Sequence, residues 1–250
     1  MLTAGVDLAA EPKGTALAVV EWGADHARLV DLQVGVADGV IVEAANQVEK
    51  IGIDCALGWP VEFVEFIVQH SDLKSPQQGV DGGMDWRRRL AFRETDRFVR
   101  ERTKRWPLSV STDRLGLTAM RCAGLLARIQ ASGVLVDRAG SGTVVEVYPG
   151  ATLRLWGFDT TGYRASPAAR ATLLRLMQDE APWFDVAQFA PLMISSGDAF
   201  DAVVAAMAAR NAALGHYEAP TAAQMDRARS EGWIALPTGP MSNLTDTGAR

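Results

Sequence analysis

Cysteine and histidine are scarce in this chain of 250 residues. The two cysteines, Cys55 and Cys122, lie far apart and form no CxxC pair, so a reduced protein without structural disulfides is the simplest expectation. The three histidines, His26, His70 and His216, are scattered along the chain and fit no spacing of a zinc site. These absences argue against a disulfide scaffold and against a zinc centre.

Long apolar runs and an excess of positive charge are also lacking. No apolar run reaches the roughly 18 residues needed to span a bilayer. The first residues, MLTAGVDLAAEP, have no basic region and include an acid, unlike a signal peptide. We therefore expect a cytoplasmic protein that does not enter membranes. The net charge of −5 excludes a binder of nucleic acid that is cationic as a whole, but a local basic patch could still bind phosphates.

What is present is a regular succession of short apolar segments and helical patterns. Three apolar segments with short turns between them predict an antiparallel meander, and two more strands follow through helical connections. Together they predict a mixed five-stranded sheet flanked by helices. The predicted strands are 3–9, 15–22, 27–34, 51–60 and 143–150, with a short final one at 233–236. The predicted helices are 39–50, 167–181 with Ser166 as N-cap, the stretch opening at 195, and 221–231.

The composition suits one large domain with an insertion. We expect a single domain over residues 1–237, with a mainly helical insertion over 61–133 that contains the Gly-rich loop QQGVDGGMD. Residues 238–250 lack periodicity and are expected to form a flexible tail. Oligomeric state does not follow from these patterns, and a dimer is compatible with them.

Five acids stand where apolar residues would be expected: Asp7, Asp54, Glu146, Asp198 and Asp201. A carboxylate among apolar residues is costly to bury unless it is paired or binds a cation. If the first and fourth strands are parallel neighbours, their acids meet at the carboxyl ends, where ligands bind in open α/β sheets. Clustered carboxylates are hard oxygen ligands that suit Mg²⁺ or Mn²⁺.

Each acid also has a structural interpretation. Asp7 and Asp54 could cap turns or accept hydrogen bonds from backbone amides, and Glu146 could pair with an arginine. Ser196 or Asp198 is a natural N-cap of the Ala-rich helix, and Asp201 could be the acid that the helix dipole favours in the first turn. Only the set of acids, taken together, points to a metal site.

The motifs GVDLA, IDCALGWP, FRETDRFVR, VVEVYPGA, DAFDAVVAAMAAR and EGWIALP resemble a bacterial and archaeal family, domain of unknown function 429. That family is described as predicted nucleases of ribonuclease H-like fold, and the D-x-x-D of the last helix is similar to the RuvC-type resolvase pattern. The resemblance spans roughly residues 4–237. It implies a sheet of order 3-2-1-4-5 and a hydrolase that uses divalent metal.

The resemblance also assigns roles to the acids. It implies that Asp7 bridges two metal ions and that Asp54, Asp198 and Asp201 complete the set. Glu146 matches the family's E-x-Y-P pattern and has no simple RuvC-type counterpart. Asp54 departs from the glutamate that many nucleases of this fold have in the fourth strand, and the shorter side chain could change the spacing of the metals.

An arginine-rich stretch lies in the predicted insertion, over residues 85–105. It carries nine Arg and Lys against four Asp and Glu. The helical spacing places Arg89, Arg93 and Arg97 in one row, which could bind phosphates. Helical ion pairs on a solvated face are the alternative interpretation. Within the family resemblance, Arg93 and Asp96 line the active cleft.

Three functions are compatible with these observations. The first is a metal-dependent phosphodiesterase, a nuclease, in which clustered carboxylates activate water. The second is a nucleotide-binding phosphotransferase related to actin or sugar kinases, in which the turn DLAAEPKGT wraps phosphates. The third is a non-catalytic binding module of the same fold. A nucleic-acid partner, DNA or RNA, is compatible with the first.

Overall fold

The structure is a computed structural model that describes residues 1–72 and 82–245. The first part of the predicted Gly-rich loop (77–81) and the end of the predicted tail (246–250) lie outside the described residues. Within them, no helix is long and apolar enough to cross a membrane.

A mixed sheet of six strands forms the centre of the described chain, in the order β5-β4-β1-β2-β3-β6. Strands β1, β2 and β3 form the predicted antiparallel meander, while β4 runs parallel to β1 and β5 parallel to β4. The predicted sheet of five strands therefore lacks one strand, β6, which pairs with β3. Because β6 has only two residues, it is too short to produce a periodic pattern in the sequence. The strands are β1 Leu2–Asp7, β2 Ala16–Trp22, β3 Ala27–Val34, β4 Lys50–Asp54, β5 Val144–Glu146 and β6 Phe184–Asp185.

Helices cover both faces of this sheet. One apolar core packs β2 and β3 against the C-terminal helices, and a second packs β1 and β4 against α1 and α5. The helix predicted after Ser166 is confirmed, since the Ser166 hydroxyl accepts a hydrogen bond from the amide of Ala169. The helices are α1 Asp38–Gln47, α2 Val61–Ser71, α3 Gly83–Ala91, α4 Glu94–Thr103, α5 Gly116–Ala131, α6 Pro149–Leu155, α7 Pro167–Glu180, α8 Ala190–Ser195, α9 Gly197–Ala213 and α10 Met225–Glu231.

Helix α9 lies close against the sheet because small residues face each other across the contact. Its alanines pack on strands that carry Gly5 and Gly52, and a Cβ on Gly5 would overlap the backbone at Ala202 and Ala206. A Cβ on Gly52 would lie 2.6 Å from the carbonyl oxygen of Ala205, closer than atoms can approach. This contact fixes the height of the helix above β1 and β4, and with it the position of the acids on its first two turns.

The arginine-rich stretch is not one helix. Helix α3 ends at Ala91 and α4 begins at Glu94, because Arg93 takes an extended backbone conformation with ψ 166° and becomes the N-cap of α4. The predicted row of Arg89, Arg93 and Arg97 on one helix face is therefore wrong. Arg89 belongs to α3 and is exposed, whereas Arg93 is buried.

The C-terminal segments depart from the predictions in two places. The predicted strand at 233–236 is only an isolated bridge between Ile234 and Glu146. The predicted flexible tail starts too early, since residues 241–244 form a 3₁₀ helix whose Met241 and Leu244 are buried in the core. Apolar side chains spaced three apart in a proline-bounded segment are sufficient to anchor it.

Candidate functional site

The register of two strands brings Asp7 and Asp54 together. In the parallel pairing of β1 with β4, Asp7 lies directly opposite Asp54, and each is the last residue of its strand. The residues that precede them, Ala4 to Val6 and Ile51 to Ile53, are buried and apolar, so the two carboxylates lie where each strand becomes half-buried. The structural alternative of two independent turn caps does not explain why they share one register position.

Helix α9 supplies a third carboxylate, Asp201. Ser196 caps the helix by accepting a hydrogen bond from the amide of Ala199, so Asp198 falls in the first turn and Asp201 in the second. Asp198 is exposed, whereas the side chain of Asp201 is almost fully buried. Asp201 therefore lies too deep in the helix to be the first-turn acid favoured by the helix dipole.

The carboxylates of Asp7, Asp54 and Asp201, called here the carboxylate cluster, repel one another. The pKa of Asp7 lies well above its usual value because of burial and because of the charges of Asp54 and Asp201. Burial and the charge of Asp201 raise the pKa of Asp54 to about 7. Burial also raises the pKa of Asp201, and Asp198 adds to it. The cluster thus holds more negative charge than its surroundings neutralise.

Two residues that the sequence analysis did not single out, Tyr163 and Arg164, partly neutralise the cluster. The Tyr163 hydroxyl donates to Asp201 Oδ1 at 2.8 Å, and Arg164 Nη2 donates to Asp201 Oδ2 at 2.6 Å. The same guanidinium reaches Asp54 Oδ2 at 3.4 Å. Both residues lie in the irregular segment between α6 and α7, where no periodicity or motif spacing predicts what a side chain will contact.

Glu146 belongs to a different structure, a buried ion-pair network with Arg93 and Asp96. Arg93 donates to Glu146 Oε1 at 2.7 Å and Oε2 at 2.8 Å, and to Asp96 Oδ1 at 2.9 Å. The amide of Leu57 donates to Glu146 Oε2, and the amide of Arg93 donates to Asp96 Oδ2. The alternative that Glu146 pairs with an arginine is confirmed.

This network changes how the predicted phosphate-binding residues are interpreted. The side chains of Arg93 and Asp96 are 3% and 1% exposed, and the Arg93 guanidinium is saturated by two carboxylates and the Glu231 carbonyl. Arg93 therefore fixes one wall of the site and has no donor left for a phosphate. Arg97 is half-buried, and its Nη2 has no hydrogen-bond partner among the described residues.

One cavity of about 190 Å³ joins the two groups of acids. Its lining includes Asp7, Asp54 and Arg164 as well as Arg93 and Glu146. Apolar side chains complete the wall, so charges inside it act through a medium less polar than water. The cavity is large enough for a small charged group such as a phosphate with its bound water.

The turn after β1, predicted to wrap phosphates in the phosphotransferase hypothesis, is held by internal contacts. The amide of Ala9 donates to Thr15 Oγ1, and Arg121 donates to Ala9 O and Thr15 Oγ1. The amide that a phosphate would need at Ala9 already has an acceptor. The phosphotransferase hypothesis therefore remains a prediction without a supporting contact at this turn.

The carboxylate cluster has the right chemical groups for a divalent cation, but the distances between these groups do not fit one. Three carboxylates with raised pKa values form an oxygen donor set that suits Mg²⁺ or Mn²⁺. In the conformation described, however, no group of three His, Cys, Asp or Glu side chains within residues 1–72 and 82–245 is close enough to hold one ion. Arg164 contributes the positive charge between Asp54 and Asp201 instead.

Comparison with known proteins gives a match to a protein family. No curated protein and no solved structure matches the chain significantly. The family model described as "Protein of unknown function (DUF429)" matches residues 5–225, a span that includes the carboxylate cluster, the ion-pair network, Tyr163 and Arg164. The chain therefore belongs to the DUF429 family.

Proposed function

We propose that this protein is a divalent-cation-dependent phosphodiesterase of ribonuclease H-like fold, and that its substrate is a nucleic acid. The observation that carries the proposal is the convergence of three carboxylates from β1, β4 and α9 whose pKa values are raised by burial and by neighbouring acids. Such an excess of negative charge in a cavity favours a cation over any other ligand.

The sheet supports the fold part of the proposal. Strands β3, β2, β1, β4 and β5 are neighbours in that order, and β2 alone is antiparallel to both of its partners. The additional strand β6 pairs with β3 at the opposite edge from β5. The helix that carries Asp201 packs across β1, β2 and β4, so the acids from strands and helix lie at one end of the sheet.

In the proposed mechanism the residues of this chain have distinct tasks. Asp7 and Asp54 present their carboxylates to the cavity and are the first candidates to hold the cation, with Asp201 and the exposed Asp198 behind them. When bound, a divalent cation would supply Lewis-acid stabilisation and lower the pKa of a bound water. Tyr163 holds Asp201 in a fixed orientation through its hydroxyl.

Arg164 is proposed to serve both states of the site. In the structure its guanidinium balances Asp201 and Asp54. Its side chain is 58% exposed, so it can move without disrupting the core. When the carboxylates are neutralised by a cation, the same guanidinium is available for an oxygen of the substrate phosphate, which it matches in geometry.

The proposal is tested by replacing Asp7 with asparagine. Asp7→Asn keeps the size of the side chain and removes one charge, so we expect hydrolysis with Mn²⁺ to fall by at least about a hundredfold. Removing a charge from a repelling cluster should leave the unfolding midpoint unchanged or raise it. The measurement uses fluorescent single-stranded DNA, duplex DNA, RNA and a branched DNA, with thermal unfolding in parallel.

The matched control is Asp25→Asn, which removes an exposed aspartate in the turn between β2 and β3. It should leave both the rate and the unfolding midpoint unchanged. Equal activity of wild type and Asp7→Asn would refute the assignment, as would hydrolysis that persists in excess chelator.

A further inference from the structure

A second cavity of about 290 Å³ lies beside the carboxylate cluster and is lined by Arg105, Arg154 and Arg164. No acidic side chain of the described chain is among the residues that line it. Tyr148 and Arg164 belong to the walls of both cavities, so the two spaces are direct neighbours. We call this second space the arginine cavity.

The three arginines differ in how well their charges are matched. Arg164 is paired with Asp201. Arg154 makes one long contact, from Nη1 to Thr160 Oγ1 at 3.4 Å, and its guanidinium lies 5.7 Å from the centre of the Tyr148 ring. Its Nε and Nη2 have no hydrogen-bond partner in the described part of the chain. Buried donors normally have acceptors, so these two nitrogens are available to donate to an anion.

Arg105 adds an exposed guanidinium at the edge of the arginine cavity. Its backbone is fixed by Thr103, whose hydroxyl donates to the Arg105 carbonyl at 3.1 Å and accepts from its amide at 3.2 Å. The long side chain can therefore reach over the cavity from a rigid base. Two arginines from different segments of the chain can donate hydrogen bonds to the oxygens of one phosphate from two directions.

Gly150 leaves the floor of the arginine cavity open. A Cβ at Gly150 would have Tyr148 Cε2 and Tyr163 Oη at 3.5 Å and Arg154 Nη1 at 3.6 Å as its nearest neighbours. These are ordinary contact distances, so alanine fits there. A longer side chain would project among the groups that line the cavity. Position 150 therefore allows the space to be filled without removing any charge.

We infer that the arginine cavity binds a second phosphate of the substrate, next to the phosphodiester that lies at the carboxylate cluster. The choice of a phosphodiester chain rests on the proposed function, while the anion site itself rests on the arginines. The substrate is then a molecule with at least two phosphates on a connected backbone, such as an oligonucleotide. A phosphate monoester that carries only one phosphate would leave the arginine cavity unused.

Binding of a dinucleotide without divalent cation tests this inference. The probes are a DNA dinucleotide with a 5′-phosphate and the same dinucleotide with a 5′-hydroxyl, titrated calorimetrically in excess chelator. We expect the wild type to bind the phosphorylated probe at least about tenfold more tightly, the value of one charge-assisted contact. Arg105→Met, Arg154→Met and Gly150→Leu should each reduce this preference by severalfold or abolish it.

Two controls distinguish the site from a general effect of charge or packing. Gly150→Ala should keep the preference because the methyl group fits. Arg175→Met removes an exposed arginine on α7 that pairs with Asp179 and should keep it as well. If the wild type binds both probes equally, or if the preference survives in Arg105→Met, Arg154→Met and Gly150→Leu, the inference is wrong. The binding test contains no divalent cation and therefore does not depend on hydrolysis. If the protein shows the preference but hydrolyses none of the nucleic acids with Mn²⁺, only the proposed function is refuted.

Discussion

Two groups of acids each contribute to the lining of one cavity, and they differ in how their charge is balanced. In the ion-pair network, two carboxylates share the fully buried guanidinium of Arg93 and accept further hydrogen bonds from backbone amides. In the carboxylate cluster, Asp54 and Asp201 share the half-exposed Arg164, and Asp7 has no ion pair among the described residues. Both groups come from acids in apolar surroundings, so burial alone does not distinguish a structural acid from a functional one. What distinguishes them is whether the negative charge is balanced by neighbouring positive charge and hydrogen-bond donors.

The difference in balance predicts opposite responses to the removal of a charge. Taking a charge from the network leaves an uncompensated ion in the core, which is strongly destabilising. Taking a negative charge from the cluster relieves repulsion. Stability measurements can therefore separate the two groups without any knowledge of the substrate.

The largest effect is expected for Arg93→Met, which leaves Asp96 and Glu146 buried without their counter-charge. We expect the free energy of unfolding to fall by about 3–5 kcal/mol at neutral pH, measured by chemical denaturation. The loss should be smaller near pH 4, where the Glu146 carboxyl can take up a proton because burial raises its pKa.

The control for this prediction is Arg97→Met, one turn further along α4. Arg97 is half-buried, and one of its guanidinium nitrogens lacks a hydrogen-bond partner among the described residues, so its replacement should cost less than about 1 kcal/mol. Equal losses for the two variants would show that the network does not stabilise the fold through paired charge.

The sequence allowed the strands that carry the cluster to be predicted, but not the groups that balance it. Asp7 and Asp54 follow from two apolar strands that each end in an acid, since parallel neighbours bring their last residues together. Asp201 follows from D-x-x-D at the start of a helix. Tyr163 and Arg164 come from an irregular loop whose path depends on tertiary packing, and no periodic signal predicts it.

In the arginine-rich stretch, the sequence pattern predicts a regular structure that the protein does not form. Its helical periodicity continues past Phe92 and Arg93, so local pattern predicts one helix with a basic face. The buried charges of Glu146 and Asp96 attract Arg93 into the core, and the helix breaks there because the capping conformation of Arg93 aims its side chain inward. A long-range ion pair thus overrides a local preference, which single-sequence patterns do not detect.

A second prediction uses pH to measure the unbalanced charge of the cluster. The pKa of Asp54 is about 7 in the folded protein and about 3.9 in an unfolded chain. The folded state therefore binds the proton more tightly, and the stability that this proton contributes is lost as the pH rises from about 4 to about 7. In chelator, we expect the titration of this carboxyl alone to lower the free energy of unfolding by about 2–3 kcal/mol between pH 5 and pH 8.

Asp54→Asn should make the overall decline shallower by about this amount, because asparagine does not ionise. The decline that remains then comes from Asp7 and Asp201, whose pKa values are also raised. Asp25→Asn serves again as the control and should retain the wild-type slope, since the pKa of Asp25 is lowered by its hydrogen bond with His26 and not raised. If the free energy of unfolding of Asp54→Asn depends on pH as steeply as that of the wild type, the Asp54 carboxyl does not carry the unbalanced charge of the cluster.

The smallest effect is expected for Tyr163→Phe, which removes one hydrogen bond to the cluster and no charge. The Tyr163 hydroxyl donates to Asp201 Oδ1 and lowers the pKa of that carboxyl against the effect of burial. We expect a loss of about 0.5–1.5 kcal/mol in the free energy of unfolding, larger at pH 8 than at pH 5 because the bond is made to the ionised acid. Tyr217→Phe, whose ring packs on a separate group of alanines, should show no greater loss at pH 8. A pH-independent loss in Tyr163→Phe would indicate that Asp201 does not change its protonation state between pH 5 and pH 8, and the raised pKa of Asp201 would then not contribute to the pH dependence of the cluster.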